Sequence, residues 1–64
     1  MLTETYYVAI RHADKDWIDT DTLCSWILGV KDAAKRVNEE CGPQWAQDNP
    51  IVRIVQVTIA EIKA

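Results

Sequence analysis

Hydrophobic residues near the end of the chain follow the spacing of a β-strand. Residues 51–62 are rich in β-branched side chains, and Pro50 precedes them where its missing N–H costs little, so the pattern predicts one long strand. Its alternation places Val55, Val57 and Ile59 on one face. The opposite face is also apolar and carries Val52, Ile54, Ala60 and Ile62. Because one helix covers only one face of such a strand, the second face is predicted to bind a partner.

Another strand is predicted over residues 3–12, where Tyr6, Val8 and Ile10 alternate with smaller or more polar side chains. We expect these three to face the core. The other face of this strand is predicted to carry Thr5, Tyr7, Ala9 and Arg11. A turn at residues 13–16 follows. A short strand at residues 17–18 is then predicted to pair back on the first, forming a hairpin.

An amphipathic helix is predicted between Asp19 and Gly42. Apolar residues recur there at the i, i+3, i+4, i+7 spacing of one helix face. This stripe consists of Leu23, Trp26, Ile27, Val30, Ala34, Val37 and Cys41. Asp19 is predicted as the N-cap, with Ile18 and Leu23 in contact across it. Gly42, followed by proline, is predicted to end the helix, and residues 43–49 to form one more helical turn.

These elements predict a single compact α+β domain over residues 1–64, with one long helix packed across a small, mainly antiparallel sheet. The order is ββαβ if the short second strand forms and βαβ if it is absent. We favour ββαβ because two parallel strands alone make a poor domain. A chain of this size buries little surface, so we expect a homodimer or higher homo-oligomer formed through a strand edge or a sheet face.

The types of reactive residue present argue against catalysis. Cys24 and Cys41 both fall within the predicted helix, roughly 25 Å apart, so a disulfide between them is not expected. The sequence shows no zinc-ligand spacing, no glycine-rich phosphate loop and no thiol with a neighbouring base. We therefore expect no enzymatic activity, no metal and no cofactor. Free thiols, with no visible signal peptide or membrane span, predict a cytoplasmic location.

The charge pattern bears on the choice of partner. The net charge of −3 argues against nucleic acid, because sequence-independent phosphate binding requires a basic stripe. The acidic segment does not match a calcium loop, and we interpret it either as a solvated turn or as an acidic contact surface. Its carboxylates are those of Asp14, Asp16, Asp19 and Asp21. An alternative nucleic-acid surface would use Arg11, Arg53 and Tyr7 on one sheet face.

Two further groups of residues enter the predicted interface and core. Cys24 and Leu28 lie one turn apart beside the stripe of the predicted helix, and they extend the interface formed by the apolar surplus of the last strand. Trp26 belongs to the stripe and is expected in the core. Trp17 and Trp45 are expected to cover the ends of the core.

Three segments of the chain resemble small accessory proteins encoded by tailed bacteriophages and prophages. They are residues 5–11, the Trp45-Ala-x-x-Asn49-Pro50 turn and residues 51–59. The resemblance implies an intracellular protein of a bacterial host that binds and inhibits host machinery. It implies no catalytic residue.

Together, these observations favour a small non-enzymatic protein-binding module, such as a phage-type inhibitor of a host defence or nucleic-acid-handling complex. One alternative is a nucleic-acid-binding regulator. The other is a small oligomeric enzyme or ligand-binding protein whose pocket lies between subunits.

Overall fold

The computed structural model describes residues 3–62, which form one sheet and two helices. The elements, in chain order, are β1 (Thr3–His12), β2 (Asp16–Cys24), α1 (Ile27–Cys41), α2 (Pro43–Asp48) and β3 (Ile51–Ala60). The three strands pair antiparallel in the order β2-β1-β3. The main helix, α1, packs across β2 and β1. The predicted ββαβ architecture, including its N-terminal hairpin, is confirmed.

The second strand is longer, and the main helix shorter, than the sequence predicted. Asp19 lies within β2 and is not a helix N-cap, so the predicted contact of Ile18 with Leu23 across it is also wrong. The helix begins only at Ile27, after Trp26 in an extended conformation. Residues 20–24 include two threonines, whose branched side chains favour a strand, and Asp19 is held by a buried partner on β1. These two effects extend the strand through the predicted first turns of the helix.

The apolar stripe of α1 is confirmed in its middle and wrong at its ends. Val30 and Ala34 are buried, together with Ala33, and Val37 is half-buried. The other predicted members are exposed, namely Leu23, Trp26, Ile27 and Cys41. The predicted helix stop is confirmed: Gly42 has a φ of 95°, which glycine tolerates, and its N–H donates to the carbonyl of Asn38 at 2.9 Å. Helix α2 follows at once, as predicted.

The centre of β1 is buried on both faces. The residues concerned are Val8, Ala9, Ile10 and Arg11. The Arg11 side chain bonds to Ala34 and Asn38 of α1, so the helix covers the face that the sequence analysis assigned to the outside. We call this the helix-side face. By alternation it also carries Ala9 and Tyr7.

Val8 and Ile10 lie on the opposite face, called here the open face. Val8 is paired with Val55 of β3, and Ile10 lies between Ile18 of β2 and Arg53 of β3. Cross-strand neighbours on this face therefore bury the central strand without a helix above it. The prediction that Val8 and Ile10 are buried is right, whereas the prediction of which face the helix covers is wrong.

Candidate protein-binding surface

Strand β3 is ten residues long, and none of them is buried. Helix α1 lies over β2 and β1, so β3 extends beyond the area that the helix covers. Of the predicted interface residues, Val52 is 48% exposed, Ile62 is 90% exposed and Ala60 is exposed, whereas Ile54 is half-buried. Two faces with apolar residues and little cover make β3 the leading candidate for a contact surface.

The outer edge of β3 is unpaired among residues 3–62. The N–H of Ala9 donates to Thr22 of β2 at 2.9 Å, whereas that of His12 donates to Pro50, next to β3, at 3.0 Å. Backbone N–H and C=O groups alternate in direction along a strand, so those of the even-numbered residues of β1 point toward β3. Their partners in β3 are the odd-numbered residues from Arg53 to Ile59. The residues whose N–H and C=O point outward are therefore Ile54, Gln56, Thr58 and Ala60.

The two edges of the sheet differ in how well they are protected. On β2, the pairing jumps from Tyr7–Cys24 to Ala9–Asp19, so the strand bulges away from β1 between these points. It also carries several aspartates. A bulge and charged side chains both hinder pairing with another strand. On β3 there is one bulge near its start, at Val52, and Arg53 is the only charged residue between Ile51 and Ala60.

The predicted acidic contact surface does not form as one surface. Asp14 and Asp21 are exposed, but Asp19 is 3% exposed and is unavailable to a partner, so its assignment to that surface was wrong. Asp16 is exposed and accepts hydrogen bonds from His12 at 2.9 Å and from Arg53 at 2.7 Å. The hydrogen bonds from His12 and then from Arg53 lower the pKa of Asp16 below its ordinary value of 3.8.

Asp19 is instead part of a buried polar cluster around Arg11. The Arg11 Nε donates to the Asp19 carboxylate at 2.6 Å, and these side chains are only 1% and 4% exposed. The guanidinium makes three further hydrogen bonds, to the Asn38 side chain, the Asn49 carbonyl and the Ala34 carbonyl. The rigid guanidinium therefore connects β1 to β2, to α1 and to the segment before β3 through hydrogen bonds.

Two tryptophans close this cluster. The Trp45 ring lies over the Arg11 guanidinium at 4.8 Å, and Trp17 packs edge-on against Trp45 with ring centroids 6.2 Å apart. Both residues pack at the predicted end of the core. Trp26, which the sequence placed in the core, is 54% exposed.

The burial of Arg11 removes a key residue of the alternative nucleic-acid surface, so that assignment was wrong. Arg53 lies on the open face and is bonded to Asp16, whereas Tyr7 lies on the helix-side face. The three residues therefore do not form one surface. A signal for the buried pair was present in the sequence, because Arg11 and Asp19 flank the predicted hairpin turn on strands that pair.

Cys24 and Leu28 are placed differently from the prediction. Cys24 lies in β2 and is half-buried, so it is not one helical turn from Leu28, and the distance argument against a disulfide fails. Both cysteines are nevertheless free thiols. The Cys24 Sγ and the Trp26 Nε1 crowd Gly29, where a Cβ would lie 2.7 Å from that nitrogen. Leu28 is exposed at the start of α1.

A cavity of about 260 Å³ lies between β2 and α1. It is lined by Asp21, Ala33, Arg36, Val37, Glu40 and Cys41. Its volume is slightly below the range of about 300–1,000 Å³ for small-molecule sites. Within residues 3–62, no group of three or more His, Cys, Asp or Glu side chains is placed to hold a metal ion. Neither helix of that region combines the length and the apolar character needed to cross a membrane.

The geometry of β3 therefore defines the candidate surface. Within residues 3–62 its outer edge is unpaired and both of its faces carry apolar residues, and an edge of this kind is the template that strand addition uses. The chain matches no protein-family model, no curated protein and no solved structure.

Proposed function

We propose that this protein is a non-enzymatic protein-binding module that accepts an extended strand along the outer edge of β3. The observation that carries the proposal is a ten-residue edge strand with no buried residue, whose outer edge is unpaired among the described residues. The resemblance to phage accessory proteins favours action in the cytoplasm of a bacterial host. An inhibitor of a host defence or nucleic-acid-handling complex would act in this way.

Two kinds of contact would operate at this edge. The outward N–H and C=O groups of Ile54, Gln56, Thr58 and Ala60 form the backbone ladder, which supplies affinity. The apolar side chains on the two faces of β3 contact alternate side chains of the added strand and supply selectivity. This arrangement uses the predicted interface residues Val52, Ile54 and Ala60 on one face. The opposite face contributes Val55, Val57 and Ile59.

Thr58 offers the sharpest test because its N–H points outward. Proline there removes a donor from the outer edge while leaving the ladder between β3 and β1 intact, and proline is tolerated on edge strands in this orientation. Valine at the same position keeps the N–H and the branched shape, so Thr58→Val is the matched control. Circular dichroism and thermal unfolding should show that Thr58→Pro and Thr58→Val are both folded.

The assay is retention of bacterial host proteins on immobilised protein, followed by reconstitution from purified components. We expect a partner retained by the wild type and by Thr58→Val, with retention at least tenfold lower for Thr58→Pro, because one edge hydrogen bond is lost and the ring obstructs the added strand. Equal retention by the two variants would refute binding at this edge. Failure of the wild type to bind any strand at this edge, whether from a host protein or from a second copy of this chain, would refute the proposed function.

A further inference from the structure

The sequence of β3 is complementary to itself in an antiparallel arrangement. Consider two copies whose β3 strands pair about a two-fold axis through Val57. On the open face, Arg53 then lies opposite Glu61 of the second copy, Val55 lies opposite Ile59, and Val57 lies opposite itself. On the helix-side face the opposed residues are Val52 with Ile62, Ile54 with Ala60, and Gln56 with Thr58. Every charged, polar and apolar residue thus meets one of its own class or of opposite charge.

The two neighbouring registers do not give this complementarity between opposed side chains. If the axis moves to Gln56, Arg53 falls opposite Ile59 and Ile54 falls opposite Thr58. If it moves to Thr58, Val55 falls opposite Glu61. A one-residue shift in either direction therefore places a charge against an apolar side chain, so the sequence specifies the register centred on Val57.

Exposure and hydrogen-bonding capacity fit the same register. Arg53 uses one guanidinium nitrogen on Asp16 and is 55% exposed, which leaves donors available for a second carboxylate. Glu61 is exposed just beyond the end of β3. Ile62 and Val52, both well exposed in one copy, would pack on each other across the axis. The outward backbone groups from Ile54 to Ala60 also pair symmetrically about Val57.

We propose that the strand accepted by β3 is that of a second copy of this chain, paired antiparallel in the register centred on Val57. This proposal rests on the proposed function and deepens it by naming the partner. The two-fold axis stands perpendicular to the sheet, so both helices remain on the same side of a continuous six-stranded sheet. The contact is isologous, with two Arg53–Glu61 ion pairs related by symmetry.

Charge reversal provides a test that includes its own rescue. Arg53→Glu and Glu61→Arg each place like charges opposite one another at both ends of the contact, so each variant should dimerise at least about tenfold more weakly than the wild type. In an equimolar mixture, the two reversals fall opposite each other. A heterodimer of near wild-type affinity should then form. Sedimentation velocity over a concentration series, with one variant carrying a mass tag, measures both quantities.

The controls separate charge, folding and register. Glu39→Arg makes the same charge change on the exposed face of α1 and should leave dimerisation unchanged. Circular dichroism should show that Arg53→Glu folds despite losing its contact with Asp16, and Glu61→Arg, which keeps that contact, is an independent test of the same ion pair. In a Cys24→Ser/Cys41→Ser background, Val57→Cys should form an interchain disulfide with oxidised glutathione. Residues opposite each other in a non-hydrogen-bonded pair have Cα atoms about 4.5 Å apart, within disulfide range. The matched variant Gln56→Cys should not cross-link, because residue 56 lies opposite Thr58 of the second copy and not opposite itself.

The outcomes distinguish this proposal from the function on which it rests. Rescue in the mixture together with cross-linking at Val57 supports the second copy in this register. A mixture that stays monomeric while the wild type dimerises overturns the register. A wild type that remains monomeric overturns the second copy as partner. In that last case, Thr58→Pro-sensitive retention of another protein would leave the proposed function standing, whereas loss of both would refute the two together.

Discussion

Replacing Asp19 with asparagine tests the buried contact between β1 and β2. Asparagine has nearly the shape of aspartate and keeps an acceptor oxygen, so the main change is removal of the negative charge 2.6 Å from the Arg11 Nε. The guanidinium would remain buried without its counter-ion, which costs about 3–5 kcal/mol. A domain of 64 residues has a total stability of about 3–10 kcal/mol at 0.05–0.15 kcal/mol per residue. Asp19→Asn should therefore remove a large part of the stability, or unfold the domain.

Urea unfolding monitored by far-ultraviolet circular dichroism at pH 7 gives the free energy of unfolding for each variant. Asp14→Asn is the matched control, because Asp14 is exposed in the turn between β1 and β2, and it should change the stability by less than about 0.5 kcal/mol. Arg11→Lys keeps the charge but cannot reproduce the four hydrogen bonds of the guanidinium fork, so it should also destabilise the fold. If Asp19→Asn lost less than about 1 kcal/mol, the idea that this buried ion pair holds β1 to β2 would be wrong.

Two other predictions concern a glycine and a titrating carboxylate. Gly29→Ala would ordinarily stabilise a helix by about 1 kcal/mol, but here the new Cβ meets the Cys24 Sγ and the Trp26 ring, so thermal unfolding should show a lower melting temperature. A higher melting temperature would contradict this crowding. The pKa of Asp16, followed by NMR, should lie below 3.8 because His12 and Arg53 favour its charged form. Its contribution to stability should be complete above the unfolded-state pKa and be lost as the pH falls through the lower folded-state pKa. The acid limb of the stability curve should therefore be shallower in Asp16→Asn than in the wild type, and identical limbs would contradict this.

The elements predicted correctly are those whose conformation is determined by residues within the element itself. Strand β3, helix α2 and the stop at Gly42 follow from β-branched residues, from proline at a first helical position and from a glycine with positive φ. The start of α1 could not be predicted in this way. Asp19 followed by an apolar spacing looks like a capped helix, but a long-range contact with Arg11 decides its conformation.

The sequence did not show which face of β1 packs against the helix, and the reason is again a long-range contact. The larger apolar residues Tyr6, Val8 and Ile10 indicate a core face, and alternation then assigns Arg11 to the opposite face. Apart from Asp19 across the hairpin turn, its partners lie in separate segments of the chain, at Asn38 and at Asn49, and no local spacing reveals that they converge on Arg11. The burial of Val8 and Ile10 was predictable, since a central strand is covered by its neighbours whichever face the helix takes.

The difference between the two sheet edges explains why association through β3 would end at a dimer. In the proposed six-stranded sheet, the two β3 edges pair with each other at the centre, and the outer edges are the two β2 strands. Each β2 edge is interrupted by the bulge between Asp19 and Cys24 and carries acidic residues, features that block further strand addition. A two-fold contact that uses the same surface of both copies is also closed by symmetry, so it offers no free copy of that surface for growth. In such a dimer, a long apolar edge that would promote aggregation of an isolated chain would form a specific contact that ends at two copies.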